Sequence, residues 1–408
     1  MLNWSKRFNI FCFLDTHGYD APPRRWDWLL GAGAATAAGL DGEDLHTLDR
    51  FLAGRRWAFG HLAYELGHRF FPGLPLRPDP LDFPHYYFFE PRIVLAAQNG
   101  ALTIEAPDPD AVWAAINATA LPAGTAATPV PVHARLTRED YLAAIRSLQA
   151  NIRRGDCYEI NFCQEFFAHA AQIDPWAAWT RLSAASPAPF GGFYRLGHRY
   201  LLCASPERFL KREGDLLTAQ PIKGTARRLP ADPVGDAALA QELLQSSKER
   251  AENVMIVDLM RNDLSRICRA GSVRVPELFG LYSFPQVHQL ISTIEGVLPA
   301  DTTFPEVLEA TFPMGSMTGA PKRRVLELID RHEGRARGIF SGSIGYFHEG
   351  DFDLNVVIRS LMYNEASSYL SYQVGSGITV YSDPAAEWEE CLLKAKGMER
   401  ALGNGVMG

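Results

Sequence analysis

The sequence has no surplus of positive charge and no long hydrophobic run. Its 40 lysines and arginines stand against 47 aspartates and glutamates, a formal net charge of -7, so no broad basic surface for nucleic acid is expected. The apolar run at the N-terminus breaks after about seven residues, and the Ala/Gly-rich stretch at 29–40 is shorter than the roughly 18 to 20 residues of a membrane helix. We therefore expect a cytoplasmic protein without a signal peptide, a membrane partner or a nucleic-acid partner.

Cysteine patterns that would indicate a metal or redox site are also missing. No cysteine has a CxxC partner, which argues against a zinc knuckle and against a disulfide framework. None lies in a G-x-C-x-G turn, the setting that exposes the nucleophile of a glutaminase. We expect reduced, mostly buried thiols at Cys12, Cys157, Cys163, Cys203, Cys268 and Cys391.

Nucleotide-binding motifs are absent as well. No Walker-type GxxxxGK[ST] occurs, and the segments GAGAAT and GSGITV lack the third glycine of a dinucleotide fingerprint. A nucleotide cofactor is therefore not expected.

The composition fits a large globular enzyme. With 47% hydrophobic and 21% charged residues, the 408 residues can bury a large core in one or two domains. Residues 121–132, LPAGTAATPVPV, have no periodicity and are typical of a connector. We therefore predict an N-terminal region at 1–125 that contributes to the sheet core and a second domain at 133–404.

Helix and strand patterns follow one another irregularly. Thr137 and Asp140 predict a capped helix that ends at Gly155, and further helices are predicted at about 236–263, 303–311, 321–332 and 384–401. Segments such as CYEINFCQEFFAHA and SYLSYQVGSGITVY predict strands, and RIVLAAQ with ALTIEA predicts a hairpin. The order fits a mixed α/β (α+β) fold with a large sheet core and helices outside, not alternating βαβ units.

Two of the predicted helices carry paired carboxylates. Glu249 and Glu252 are three residues apart and therefore share a helix face. The last helix likewise presents Glu387, Glu390 and Lys394 on one face. Most such faces are solvated and paired with neighbouring cations. If the two faces meet, they could hold Mg²⁺, which binds one or two carboxylates together with waters and an anionic substrate.

Two other segments predict an anion site. Arg359 lies within NVVIRSL, where an unpaired guanidinium would be costly, so it must meet a carboxylate of the protein or of a ligand. FPMGSMTGAPK predicts a turn before a helix, whose N–H groups could face an anion. The turn residues are Gly315, Thr318, Gly319 and Pro321. Together with the carboxylate helices, these segments predict a site for a small dicarboxylate with Mg²⁺.

One lysine has two interpretations. Lys223 stands in TAQPIKGTARR, after a proline and before a glycine. A lysine in a strand beside a tight turn is usually a solvated charge that protects a sheet edge. The alternative is a functional amine.

Eight segments between about residues 135 and 403 form a recognisable series. They are SPERF, PIKGTARR, KERAENVMIVDLMRNDLSRI, FPMGSMTGAPK, IFSGSIGY, VVIRSL, VGSGI and DPAAEWEECLLKAKG. In order and spacing, this series resembles the motifs of the chorismate-utilising enzymes. The resemblance implies an anthranilate-synthase-like chorismate-binding fold, with a core of two packed antiparallel-rich sheets and helices outside. It also implies that residues 133–404 form the catalytic domain.

The PIKGT motif is similar to that of family members that aminate chorismate to 4-amino-4-deoxychorismate for p-aminobenzoate and folate synthesis. The resemblance implies that the amine of Lys223 adds at C2 while the C4 hydroxyl leaves, and that ammonia then attacks C4 and expels the lysine. This chemistry needs a neutral amine, and we expect burial and a nearby metal to lower its pKa. Glu207 resembles the general acid, which works near neutral pH only if its pKa is raised.

The resemblance also implies the remaining site residues. Glu252 and Glu390 match Mg²⁺ ligands, with Glu249 and Glu387 in a supporting shell. Substrate contacts fall on Arg359, Lys394, the backbone of Gly375, Ser376 and Gly377, and the pocket residues Thr225 and Thr318. Because the chain shows no glutaminase nucleophile, the family implies a separate glutamine amidotransferase subunit as the source of ammonia.

Other activities stay open. Related enzymes make anthranilate, isochorismate or salicylate, and Lys223 argues against all three. A non-catalytic chorismate-binding protein would be expected to have lost Lys223, Glu207 or the metal carboxylates, and all of these are present.

Three departures from the family pattern lead to further expectations. Gln289 stands where many relatives have histidine, and strand alternation would point the preceding His288 to the opposite face, which argues against an acid–base role for it. Phe340 replaces a tyrosine of some relatives and removes a hydroxyl from the pocket wall. FCFLDTHG stands where anthranilate synthases have a tryptophan-binding segment, so that form of feedback control is not expected.

Overall fold

The computed structural model describes residues 1–19, 25–39, 44–120 and 129–404. Its α-helices are α1 (Leu2–Ser5), α2 (Leu45–Leu52), α3 (Pro109–Asn117), α4 (Arg138–Arg153), α5 (Pro175–Ala185), α6 (Pro233–Gln245), α7 (Ser247–Ser265), α8 (Phe304–Thr311), α9 (Lys322–Glu333) and α10 (Pro384–Ala401). Short 3-10 helices lie at Tyr64–Arg69 and Gly315–Met317. The strands are β1 (Ile10–Asp15), β2 (Trp28–Ala38), β3 (Trp57–Leu62), β4 (Tyr86–Gln98), β5 (Ala101–Glu105), β6 (His133–Ala134), β7 (Glu159–Ala168), β8 (Phe190–Leu196), β9 (Arg199–Ser205), β10 (Arg208–Glu213), β11 (Leu216–Gln220), β12 (Ile222–Arg227), β13 (Arg274–Ser283), β14 (Val287–Val297), β15 (Gly319–Ala320), β16 (Ser343–His348), β17 (Asp351–Asn355), β18 (Ser360–Asn364) and β19 (Tyr369–Ile378).

These strands pair edge to edge in one continuous antiparallel ladder. Successive neighbours are β7, β19, β18, β9, β8, β1, β2, β4, β3, β16, β17, β10, β11, β14 and β13. Strands β6 and β15 pair with β7, β5 pairs with β4, and β12 pairs with β14. The strands from the N-terminal region therefore lie in the middle of the ladder, between two parts formed by later segments.

The ladder folds over so that its two parts face each other. Gly192 of β8 packs directly on Ile344 of β16, where an added Cβ would lie 2.4 Å from the isoleucine Cδ1. One buried cluster combines residues from both layers, including Cys12 of β1 and Leu354 of β17. A second cluster covers the opposite face of the first layer with α4, α5, α9 and α10, and includes Phe11. The predicted core of packed antiparallel sheets with helices outside is confirmed, with β2, β4 and β3 joining the layers.

Several predicted elements are also confirmed. Strands β4 and β5 form the predicted hairpin, and α3 follows them. Helix α4 begins after Thr137, whose side chain accepts a hydrogen bond from the N–H of Asp140. The connector at 121–132 includes 121–128, which lie outside the described residues, so the domain boundary stays a prediction.

The predicted helix at 236–263 is wrong in one respect, because it is two helices. Ser246 has φ -59° and ψ 112°, which ends α6, and its side chain accepts a hydrogen bond from the N–H of Glu249 at the start of α7. A serine hydroxyl that bonds to the local backbone competes with helix continuation and favours a cap. The break places Glu249 in the first turn of α7.

The helices throughout the described part of the chain are either too short or too polar to cross a membrane.

Candidate active site

Lys223 lies on β12 beside a local distortion of the strand. Gly224 has a φ of +93°, a left-handed conformation that glycine adopts readily, and the pairing of β12 with β14 shifts register between Ile222 and Thr225. The Lys223 side chain is only 13% exposed, and its Nζ donates a hydrogen bond to Oε1 of Glu159 at the start of β7. Lys223 is therefore not a solvated edge charge.

Gly377 makes room for this ion pair. It lies on β19, which pairs with β7. A Cβ at position 377 would lie 2.3 Å from Oε1 of Glu159 and 2.8 Å from Nζ of Lys223. Both distances are shorter than real Cβ contacts, so a side chain there would displace the pair. The glycines of VGSGI thus matter for close packing as well as for their backbone groups.

The expectation that the lysine pKa would be lowered is wrong for the chain by itself. Burial alone would lower the pKa of Lys223, but the carboxylates of Glu159, Glu252 and Glu207 outweigh burial and raise it above its usual range. The amine is held as an ammonium by the acidic groups around it.

Glu207 lies in the turn between β9 and β10, in SPERF. Its N–H donates to the Ser205 hydroxyl at 3.1 Å, and its carbonyl accepts from the N–H of Val356 at 3.0 Å, which fixes the backbone. The carboxyl is buried, and Oε1 has no hydrogen-bond partner among the described residues. Burial raises the pKa of Glu207 to about 7, while the Ser316 hydroxyl and the cations of Lys223 and Arg359 oppose the rise. This agrees with the raised pKa expected for a general acid.

Arg359 projects from the turn between β17 and β18. Its φ is +51°, a left-handed conformation that costs energy for a residue with a side chain. Burial lowers the pKa of Arg359, and the charge of Glu207 partly opposes that effect. Among the described residues, Glu207 is the carboxylate whose charge acts on the guanidinium, and no ion pair joins the two. The guanidinium is therefore available for a carboxylate of a ligand, one of the two partners expected from the sequence.

The paired carboxylates of α7 and α10 face the same charged groups. Burial raises the pKa of Glu252 to about 7; Lys223 opposes the rise, and Glu159 and Glu249 add to it. Burial would also raise the pKa of Glu390, but Lys394, Lys248 and Lys223 outweigh burial and lower it. Because Glu252 and Glu390 both interact with Lys223 and Lys248, the two helix faces converge on one site.

The donor set suits a hard divalent cation. Oε2 of Glu387 is buried without a hydrogen-bond partner among the described residues. Burial raises the pKa of Glu252, and the negative charges of Glu159 and Glu249 add to the rise, which a cation would oppose. Carboxylate oxygens are the ligands that Mg²⁺ prefers. In the described part of the chain, no three His, Cys, Asp or Glu side chains lie close enough together to hold a metal ion as they stand.

Lys394 and the VGSGI backbone lie together. Nζ of Lys394 pairs with Glu390 at 2.7 Å and donates to the carbonyl of Gly375 at 2.8 Å. The Ser376 side chain is buried, and its hydroxyl has no partner among the described residues. Since Gly375, Ser376 and Gly377 alternate across β19, the serine side chain points away from the glycine face.

The turn before α9 supports the site differently from the prediction. The N–H groups of Met317 and Thr318 donate within the turn, and the Thr318 hydroxyl donates to the Met314 carbonyl at 3.0 Å, so these groups are not free for an anion. Gly319 approaches β7 so closely that an added Cβ would lie 2.0 Å from the carbonyl oxygen of Glu159. The turn therefore fixes the strand that carries Glu159. Thr225 is exposed on β12, next to the distortion at Gly224.

Two positions that depart from the family pattern lie on β14 and in the core. Nδ1 of His288 lies 2.8 Å from the Ser283 hydroxyl and Nε2 lies 3.1 Å from Asp236, so both ring nitrogens already have partners. Gln289 is buried, and its Oε1 has no partner among the described residues. Phe340 is buried in the cluster between the layers.

Sequence reasoning missed Glu159 and a supporting ion pair. Glu159 stands in the apolar strand segment CYEINF, and a charge in such a run is the one signal that could have indicated a buried partner. Lys322 donates to Asp263 at 2.7 Å and to the Thr311 carbonyl at 3.0 Å, and both charged side chains are buried. This pair anchors the start of α9, and with it the turn, to α7.

The architecture matches a known class of folds. The chain superposes on anthranilate synthase component I from Streptococcus pneumoniae with a TM-score of 0.80 and 24% identity, over 93% of each chain. At that identity, the likeness establishes the fold alone.

Sequence comparison then identifies the family. The family model for chorismate binding enzymes matches residues 23–400, a span that includes most of the N-terminal region. Aminodeoxychorismate synthase component 1 of Klebsiella aerogenes is 42% identical over 347 residues, 83% of this chain and 75% of the relative. The protein of the same name from Salmonella typhimurium is 38% identical over 352 residues, 85% of this chain and 77% of the relative. The chain belongs to the chorismate binding enzyme family.

Proposed function

We propose that this chain is the chorismate-aminating component of an aminodeoxychorismate synthase, which converts chorismate and ammonia to 4-amino-4-deoxychorismate for p-aminobenzoate and folate synthesis. The observation that carries this proposal is the buried amine of Lys223, hydrogen-bonded to Glu159 in a pocket of acidic side chains. The relatives at 42% and 38% identity support it through their names.

The residues around Lys223 supply the parts of a two-step substitution. The amine forms a bond to C2 of chorismate, the ring double bonds shift, and the C4 hydroxyl departs as water after taking a proton from Glu207. Ammonia then attacks C4, the double bonds shift back, and the C2–N bond breaks to release Lys223. Splitting one displacement into two steps lowers the barrier of each. Arg359 and Lys394 bind the carboxylates of the substrate and hold the ring against the amine.

We propose Glu252 and Glu390 as ligands of Mg²⁺, with Glu249 and Glu387 supporting them. When bound, the ion would neutralise part of the crowded carboxylate charge and attract a carboxylate of chorismate. Thr225, Thr318 and the backbone at Gly375, Ser376 and Gly377 are proposed as pocket walls. All of these groups lie within 133–404, which we propose as the catalytic domain.

We propose that ammonia comes from a separate glutamine amidotransferase subunit in the cytoplasm. The relatives are named as component 1, which implies a second component for them. The described cysteines are all buried, which does not suit a glutaminase nucleophile that must meet its substrate.

The test is to incubate the purified chain with chorismate, Mg²⁺ and an ammonium salt near pH 8.5 and to identify the product by chromatography and mass spectrometry. We expect 4-amino-4-deoxychorismate, and we expect Lys223→Ala to reduce its formation by at least about 10²-fold, the usual scale for loss of a catalytic group. Lys396→Ala, an exposed lysine of α10, is the control. Anthranilate or isochorismate as the product, or full activity of Lys223→Ala, would contradict the proposal.

A further inference from the structure

Glu159 is held against Lys223 by two neighbouring segments. Its side chain is 11% exposed and accepts the hydrogen bond from Nζ of Lys223. Gly319 of β15 packs on its backbone carbonyl, and Gly377 of β19 packs on its carboxylate. The carboxylate therefore cannot move far from the amine without disturbing β7, β15 or β19.

The proposed reaction requires an acceptor for one lysine proton. The amine must be neutral when it forms the bond to C2, whereas the chain by itself holds it as an ammonium. Within the described residues, Glu159 is the carboxylate within ion-pair distance of Nζ. Glu207 must enter the reaction protonated, because its proton leaves with the C4 hydroxyl, so it is not the acceptor.

We propose that Glu159 is a catalytic residue that accepts the proton of the Lys223 ammonium when substrate covers the site and returns it when the amine is released. This inference rests on the proposed function. The ammonium and carboxylate become a neutral amine and a neutral carboxylic acid. The amine then adds to C2 as Glu207 gives its proton to the departing hydroxyl. After ammonia has displaced the lysine, the amine takes back the proton from Glu159. The new ammonium group at C4 gives one proton to Glu207, so both carboxyl groups return to their starting states and no other reactant is needed.

Burial of the pair favours this transfer. A carboxylate and an ammonium lose solvation when water leaves, and the neutral pair loses much less. The charged groups that influence the pair from the turns and helices around it are Glu207, Glu249, Glu252, Glu390, Lys248, Lys394 and Arg359. A ligand carboxylate bound to Arg359, or a cation bound between α7 and α10, would change the electrostatic potential at Lys223 and at Glu159 at the same time.

The shared proton has a kinetic consequence. The resting ion pair and the reactive neutral pair carry the same number of protons, so forming the nucleophile does not require release of a proton to solvent. The pair itself should therefore add little pH dependence to lysine addition. The parent rate should instead fall above about pH 7, as Glu207 loses the proton that it must supply. Without Glu159, the proton must leave to solvent, and the rate relative to the parent should rise about tenfold per pH unit up to the lysine pKa.

The experiment measures addition without ammonia. The full chain is mixed with chorismate and Mg²⁺, quenched at intervals, and analysed by intact-protein mass spectrometry for a mass increase of chorismate less one water. Initial rates are compared between about pH 6.5 and about pH 9.5, a range chosen to lie below the ordinary lysine pKa. We expect the parent rate to fall above about pH 7 as Glu207 ionises. The ratio of the Glu159→Gln rate to the parent rate should rise about tenfold per pH unit, and Glu159→Asp should run parallel to the parent at a lower rate.

Glu165→Gln is the matched control. Glu165 is a second buried, ion-paired carboxylate of β7, bound to Arg135, and its loss should leave the profile parallel to that of the parent. If Glu159→Gln runs parallel to the parent, or reacts faster than the parent at low pH, Glu159 is not the proton acceptor. That result leaves the proposed function intact as long as Lys223 forms the adduct and ammonia yields 4-amino-4-deoxychorismate. Failure of the parent chain to form either would overturn the function itself.

Discussion

Glu207 is a single residue whose burial serves the chemistry at the expense of stability. Its pKa in the folded chain is about 7 against an ordinary 4.5, so the folded state binds this proton more tightly than the unfolded state. This tighter proton binding stabilises the fold fully below about pH 4.5, and the stabilisation is lost as the pH rises to about 7. Above that pH, the fold carries a buried charge with one unpartnered oxygen.

Replacing the carboxyl with an amide should remove this pH-dependent cost. We expect Glu207→Gln to raise the free energy of unfolding relative to the parent by about 2 to 3 kcal/mol more at pH 8 than at pH 4, because a pKa shift of one unit corresponds to about 1.4 kcal/mol. The same variant should lose 4-amino-4-deoxychorismate formation, because an amide cannot supply the proton. Denaturant unfolding at both pH values measures the first effect. Equal gains at pH 4 and pH 8 would show that the carboxyl does not ionise at a cost in the folded chain.

At these individual positions, the sequence indicated which residues are candidates for function, but it did not indicate which side chains surround them. The raised pKa of Glu207 is the one that a general acid needs, whereas the ligand carboxylate expected for Arg359 stays a prediction. Burial and a nearby metal were expected to lower the pKa of Lys223, but in the chain by itself the pKa is raised, because the lysine faces a carboxylate 64 positions away. A sequence pattern shows that Glu159 is acidic, but only tertiary packing shows which cation it faces.

Strand β19 determines how closely the elements of the site approach one another. It pairs with β7 through consecutive residues from Leu370 to Ile378, and Gly377 faces the ion pair. We expect Gly377→Ala to separate Lys223 from Glu159 and to reduce lysine addition by about 10- to 100-fold, the scale on which small misplacements of catalytic groups act. Rapid-quench adduct measurements would record the change.

Gly397→Ala in α10 is the control for this substitution. An added Cβ there would meet the hydroxyl end of Ser186 at 2.6 Å, outside the site, where the side chain can rotate. If both glycine variants reacted at the parent rate, the close approach of β19 would not matter to the amine.

Apolar periodicity and caps predict the ends of most of these helices, but they miss one division. The bounds of α4, α8, α9 and α10 lie within one or two residues of the predicted ones, because caps and apolar spacing mark both ends. The division at Ser246 was missed, because QSSKE has good helix formers on either side of a serine pair. That division matters because it sets the direction of α7 and hence of Glu249 and Glu252.

The whole molecule depends on strands that the sequence places in a separate N-terminal region. Strands β1 and β2 connect to β8 on one side, and β4 and β3 connect to β16 on the other. The family match from residue 23 is consistent with this arrangement. Hydrophobic patterning could predict a large sheet core, but the pairing of segments more than two hundred positions apart has no local signal.

A fragment that begins at residue 133 should therefore fail to fold, although it contains every proposed catalytic group. Removing β1 to β5 would leave β8 and β16 as unpaired edges and would expose apolar residues such as Leu354 and Phe347 of the cluster between the layers. We expect the fragment to aggregate or to lack a cooperative unfolding transition by circular dichroism. Supplying residues 1–125 as a second chain should restore cooperative unfolding and lysine addition together. A fragment 133–404 that is monomeric, unfolds cooperatively and reacts with chorismate would establish the predicted boundary as one between independent domains.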